Sequence, residues 1–281
     1  MKSFKTILYT VDNQIAEIRL NRPDIHNAFN DVMIAELTEC FLEIEKLEDI
    51  RLVVLRGNGK SFCAGADLNY MKGIAKFGYR ENYEDGKKLA KLFESVYNCS
   101  RPTLAVVHGA CFGGANGLIA ACDIVIAEEN TKFAFSEVKL GISPATIGPF
   151  VLIRTGEFKG KELMMTGRRF TGNEAEKAGL VNRTVSENEL EEIVAGYIKE
   201  FNSAAPGAVK ATKEMIMKVM NEGGPGITDY TADLIATLRA SEEGQEGNGG
   251  VFGKRKPGWT IDLWAENSSC SLQVCSWQGS K

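Results

Sequence analysis

Between Val106 and Ile124 the chain reads Val-Val-His-Gly-Ala-Cys-Phe-Gly-Gly-Ala-Asn-Gly-Leu-Ile-Ala-Ala-Cys-Asp-Ile. An apolar strand runs into the small residues Gly113-Gly114-Ala115 and then into a short apolar helix. Bare backbone at the mouth of a helix leaves peptide N–H groups free to face a ligand oxygen, and the helix dipole favours negative charge there. That is the chemistry of an oxyanion hole. A second small-residue turn, Ser61-Phe62-Cys63-Ala64-Gly65-Ala66-Asp67, follows another apolar strand and offers the other donor. Two such donors stabilise a developing enolate, whose charge gathers on one oxygen.

Other chemistries fail on spacing. Gly59-Lys60-Ser61 follows a strand as a phosphate-binding loop would, but the glycine required five positions earlier is Val54. The same segment lacks the second glycine of a nucleophile elbow, and only His26 and His108 are available as an imidazole base, so a serine hydrolase is disfavoured. The glycines at 113 to 117 miss the dinucleotide-binding spacing and do not follow the first strand. Two histidines and no Cys-x-x-Cys pair give no zinc site, and no metal is expected.

The elements that must position these turns are legible from periodicity. Thr6 to Val11 and Ile15 to Leu20 read as a hairpin through Asp12-Asn13, and Asn21-Arg22-Pro23 ends the second strand. Met33, Leu37, Cys40, Ile44 and Leu47 recur at helical spacing behind the capping candidates Asn30 and Asp31. Then come a buried strand at Leu52 to Leu55, a polar helix at Glu81 to Tyr97, a strand at Thr103 to Val107, the short helix after Gly114, and a strand at Ile124 to Ala127. Strands alternating with helices imply parallel pairing through right-handed crossovers, an α/β fold. From Ala145 the pattern is mostly helical: 147–155, 159–165, 173–178, 187–203 and 206–221. The chain divides into a core over 1–203, a helical C-terminal subdomain over 204–260 and an atypical tail over 261–281, with Gly244 to Gly250 read as a mobile turn.

The chain has 281 residues, enough to bury a sizeable core, and a net charge of -4 that gives no reason to invoke nucleic acid or an anionic membrane. Seven cysteines scattered through apolar segments read as reduced thiols. With no apolar leader and no stretch of transmembrane length, the expected location is cytoplasmic.

These residues resemble the crotonase family, the enoyl-CoA hydratase and isomerase superfamily, over roughly Leu8 to Trp259. The resemblance is carried by Leu20-Asn21-Arg22-Pro23 with Asn27-Ala28, by Phe62 to Leu68, by Gly109 to Ile124 and by Phe135-Ser136-Glu137 to Pro144. Phe252-Gly253-Lys254-Arg255-Lys256-Pro257 resembles the family's closing helix. The resemblance implies a crotonase-like superhelix of ββα turns with a C-terminal helical part that builds a homotrimer, often a dimer of trimers. It implies that the N–H groups of Ala64 and Gly114 hold the thioester oxygen of an acyl-CoA. It places Asp24, Ile25 and Ala28 near the adenine and Ala64, Gly65, Ala66, Asp67, Leu68, Gly113 and Gly114 along the CoA pocket, with Asp67 also a helix-cap candidate. CoA arrives as part of the substrate, and no separate cofactor is implied.

One departure matters for the chemistry. Hydratases of the best-known type place two glutamates around the substrate; here the first position is Gly117, and the second is Glu137, whose phenylalanine-rich flanks suggest burial. Single-glutamate members of the family include isomerases that move a double bond from the 3,4 to the 2,3 position. They also include hydratases resembling the bacterial 3-methylglutaconyl-CoA enzymes, to which the run Ser136 to Ile147 is closer. The expectation is therefore a lyase acting on an enoyl-CoA in fatty acid or related acyl metabolism, with Glu137 as acid/base. An isomerase is the alternative, and a non-catalytic scaffold the alternative of another class.

Overall fold

Strands β1 (Ile7–Asp12) and β2 (Ile15–Leu20) pair antiparallel, turned by Asn13 and Gln14 at φ 47° and 65°. Positive φ at both central residues matches the twist of the flanking strands, so the turn sits one residue later than Asp12-Asn13. The structure, a computed structural model, describes residues 4–223 and 226–261. Helix α1 (Asp31–Ile44) follows, its Asn30 cap accepting from the Met33 N–H at 2.9 Å. Met33, Leu37, Cys40 and Ile44 are buried on one face, while Leu47 lies beyond the helix end and is exposed.

Strand β3 (Leu52–Gly57), helices α2 (Leu68–Ile74) and α3 (Tyr79–Tyr97), strands β4 (Thr103–Val107) and β5 (Ala110–Phe112), helix α4 (Gly114–Ala121), and strands β6 (Ile124–Glu128) and β7 (Lys132–Ala134) complete the middle of the chain. Beyond it lie α5 (Gly148–Thr166), β8 (Arg169–Thr171), α6 (Gly172–Lys177), β9 (Arg183–Val185), α7 (Leu190–Ser203), α8 (Pro206–Glu222), α9 (Thr228–Ala240) and α10 (Glu242–Phe252). The two helices expected over 147–165 run together as α5, kinked at Gly156, where φ is 67°.

The larger sheet has the order β1-β2-β3-β4-β6-β9, parallel from β2 onward; a second sheet runs β5-β7-β8. Both faces of the large sheet are covered, because alternate residues of each strand enter different clusters. Val53, Leu55, Ala105 and Val107 join the main core with α1, α3 and α4, whereas Leu52, Val54, Leu104 and Val106 pack with Leu190 and Val194 of α7. Continuous apolar runs in parallel strands are the sequence mark of that two-sided burial.

The chain breaks between α7 and α8 at Ala204-Ala205. Lys213 of α8 reaches Asp123 at 2.6 Å, and α9 packs with α10. Gly244 to Gly250 is not a mobile turn: it lies within α10, capped by Ser241 accepting from the Gly244 N–H at 3.1 Å. The glycines form a packing face, since a Cβ on Gly247 would lie 3.1 Å from the Trp259 ring and one on Gly250 3.1 Å from Arg255 O. The segment after Phe252 also differs from the expected closing helix. It leaves the helix at Gly253, passes through Lys254 at φ 51°, and returns so that Arg255 grips Glu246 at 2.5 and 2.7 Å. The tail expectation falls almost wholly on 262–281, outside the described residues. Among the described residues no helix is long and apolar enough to cross a membrane.

Candidate active site

Cys63 and Cys111 meet in a parallel bridge, fixed by Cys63 N–H to Ala110 O at 3.0 Å and Phe112 N–H to Cys63 O at 3.1 Å. The bridge sets the two small-residue turns that follow it side by side, with Ala66 and Gly114 each three residues further along its chain segment. The turns approach closely: a Cβ on Gly65, at φ 94°, would lie 3.0 Å from Phe112 O. Phe29 joins them. Its N–H donates to Gly65 O and its carbonyl accepts from the Asp67 N–H, both at 2.7 Å, while its ring lies 3.7 Å from the Cβ position of Gly114.

The donor expected at Ala64 is not free in this structure. The Ala64 N–H donates to His26 O at 2.9 Å and is occupied. Among the described residues the Ala66 N–H has no acceptor, and neither has the Gly114 N–H, which as the first residue of α4 lacks an intrahelical partner. Gly113 adopts φ 53° and uses its own N–H on Ala134 O at 2.9 Å.

Glu137 follows β7 in a short 3-10 turn over Ser136–Leu140, closed by Gly141 at φ 77°. The buried Phe133 and Phe135 stack on Phe170 at 5.5 and 5.9 Å and anchor the turn from below. The Glu137 Oε1 lies 3.5 Å from the Cβ position of Gly113, over the turn that presents the Gly114 N–H. Its Oε2 is buried without a hydrogen-bond partner among the described residues. Burial pushes the carboxyl above the ordinary glutamate range, and only its own backbone N–H opposes that. Gly117, on the next turn of α4, is sealed by Ile147 and Phe93.

The expected CoA-binding residues divide. Asp24 and Ile25 are exposed in a 3-10 turn, Ala28 is buried, and Leu68 is exposed at the start of α2. Asp67 caps α2, accepting from the Asn69 N–H at 2.7 Å, and holds Arg22 at 2.8 Å, while Arg22 also donates to Ala28 O at 2.6 Å. Asn27 donates to Asn58 O and Ser61 O, both at 2.8 Å, so the 22–28 loop is fastened against the segment leading to Ala66. The histidines serve structure: His26 contacts Ser61 Oγ at 3.1 Å and His108 contacts Gly59 O at 2.8 Å. Sequence reasoning missed Phe29, Asn116 and Ile147 because each acts through tertiary contact, and it placed Ala66 along the CoA pocket without marking its N–H as a donor.

A family model described as enoyl-CoA hydratase/isomerase matches residues 10–262. The chain belongs to the enoyl-CoA hydratase/isomerase family. It is similar to a Legionella pneumophila protein whose name includes enoyl-CoA hydratase/isomerase (crotonase), at 39% identity and a TM-score of 0.86, over 92% of this chain and 100% of that one. An enoyl-CoA hydratase from Shewanella pealeana superposes with a TM-score of 0.87 at 35% identity, over 91% of this chain and 96% of the other. A peroxisomal Delta(3,5)-Delta(2,4)-dienoyl-CoA isomerase of Arabidopsis thaliana is 29% identical over 92% of this chain and 98% of its own length. The fold of this family member is thus the crotonase fold, and its relatives are named for both hydration and double-bond isomerisation.

Proposed function

We propose that this enzyme adds water across the 2,3 double bond of an enoyl-CoA thioester, and removes it in reverse. The carrying observation is the Glu137 carboxylate, one oxygen unpartnered, standing over a turn that presents the free Gly114 amide, with the free Ala66 amide on the neighbouring turn. In this reading the Ala66 and Gly114 N–H groups hold the thioester oxygen and draw charge toward it, leaving C3 open to attack. Glu137 takes a proton from water as the water oxygen bonds to C3, and the enolate charge gathers on the held oxygen. The same carboxyl then returns that proton to C2, so one molecule of water is added and the carboxylate is restored. A carboxyl raised above its ordinary range is better matched to both halves of that exchange.

The run Ser136 to Ile147 supports an acyl group of the methylglutaconyl type. Exposed apolar residues on the C-terminal helices, including Ile216, Met220, Ile235 and Phe252, support assembly as a homotrimer or dimer of trimers. Isomerisation of a 3-enoyl to a 2-enoyl thioester is the second reading, favoured by the single carboxylate, which would carry one proton between two carbons. Incubation with crotonyl-CoA and 3-methylglutaconyl-CoA in 18O-labelled water tests the first: label should enter the product at C3. Conversion of a 3-enoyl-CoA without label uptake would replace hydration by isomerisation, and inactivity in both assays would sink the reading.

A further inference from the structure

Asn116, in the first turn of α4, is wholly buried, and its side-chain amide touches both the turn after β5 and the end of β7. Its Nδ2 donates to Gly113 O at 3.2 Å and to Ala134 O at 2.9 Å. The same two carbonyls accept main-chain bonds, Ala134 O from the Gly113 N–H and Gly113 O from the Asn116 N–H, each at 2.9 Å. The four bonds close a ring across the end of β5, the start of α4 and the end of β7.

Two consequences follow from that ring. A trans peptide is planar, with its C=O and N–H pointing opposite ways, and no peptide among the described residues is cis. Two donors gripping the Gly113 carbonyl therefore fix the direction of the Gly114 N–H on the other side of the same plane. Ala134 ends β7, and Glu137 follows it three residues later. The same amide thus anchors the base of the segment that carries the carboxylate.

We propose that Asn116 is a positioning residue that sets the Gly114 N–H donor against the Glu137 carboxylate, an inference that rests on the oxyanion-hole reading above. Packing alone does not account for it. The Asn116 Oδ1 is buried with no partner among the described residues, and such an orphan destabilises a fold, whereas an apolar side chain of similar volume would not carry it. The residue keeps a costly oxygen and uses both hydrogens of its amide.

The test compares the intact wild-type protein with Asn116→Leu and Asn116→Ser. Cinnamoyl-CoA is the binding probe, because its absorption moves to the red as its carbonyl is polarised. Asn116→Leu should keep or raise the melting temperature while kcat falls ~10–100-fold and KM changes less than about 3-fold, since a misdirected donor is felt mainly in the transition state. The red shift should shrink in Asn116→Leu and recover in part in Asn116→Ser, whose hydroxyl can donate to one of the two carbonyls. If Asn116→Leu does not fold, Asn116→Ser carries the same comparison, with the kcat loss and smaller red shift expected at an intermediate level. A folded variant with full red shift, or a kcat loss that only tracks a lowered melting temperature, would overturn the inference. If wild-type protein gives no red shift, the oxyanion-hole reading fails at its source, and this inference fails with it.

Discussion

Ile147 stands where a side chain on residue 117 would have to go. A Cβ on Gly117 would lie 2.2 Å from Ile147 Cγ2 and 2.8 Å from its Cβ, with the Phe93 ring at 3.0 Å behind. Ile147 is itself buried, so it has little room to retreat. The glycine and the isoleucine form one packing unit, and this wall of the site is apolar. In the proposed reading, proton transfer near the substrate is left to Glu137.

Gly117→Ala should lower the melting temperature by overpacking, a destabilisation of about 1–3 kcal/mol. Ile147→Ala alone should destabilise by leaving a cavity, but the double variant should be less destabilised than the sum, since one change makes room for the other. A denaturation cycle over the four proteins measures the coupling. Strict additivity would show that the two residues do not share the space.

Glu137→Gln should leave the fold intact and lower turnover of the enoyl-CoA substrate at least ~100-fold, because the shape is kept and the proton transfer removed. The same variant carries a pH signature. Burial raises the folded-state pKa above the ordinary value of 4.5, so the folded protein holds this proton where the unfolded chain has lost it. Stability from this site therefore falls as pH rises from the ordinary value through the raised one. Chemical denaturation should find Glu137→Gln more stable than wild type above the raised pKa, with the gap closing below pH 4.5. Equal stability across that range would contradict the burial of this charge.

In a complex with an acyl-CoA analogue, the thioester oxygen should lie roughly 2.7–3.1 Å from the Ala66 and Gly114 nitrogens. The Ala64 N–H should remain on His26 O, where it lies at 2.9 Å without ligand. A crystal structure with that oxygen on Ala64 would restore the donor suggested by sequence and refute the assignment of Ala66.

Light scattering should find a trimer or a dimer of trimers at assay concentration. Ile216 is 53%, Met220 66% and Phe252 83% exposed, apolar surface that the helices of a neighbouring copy would cover. Replacing Ile216 and Met220 by Glu should shift the mass downward if α8 contributes to the interface. A monodisperse wild-type monomer would rule the assembly out.

The sequence by itself determined the longer strands β1 to β4 and β6, most of the longer helices and the two small-residue turns, because these depend on spacing along the chain, whereas the three-residue strands and α10 were not legible. Apolar runs such as Thr103 to Val107, the Asn30 cap and the helical face of α1 carry their signals within a few residues. It also singled out Gly114 and Glu137. What only the tertiary structure decided are relations between distant residues. Ala64 and Ala66 look alike as letters, and only the fold brings the His26 carbonyl onto the Ala64 amide while Phe29, bonding to Gly65 O and the Asp67 N–H, leaves the Ala66 amide open. Gly117 reads as a missing carboxylate until Ile147, thirty positions away, is seen to fill the space. Gly244 to Gly250 reads as a turn because glycine is a poor helix former, yet Trp259 and the Arg255 backbone need that smooth helical face. Local propensity acts over one or two turns of chain, whereas which backbone donors stay free depends on which strands meet.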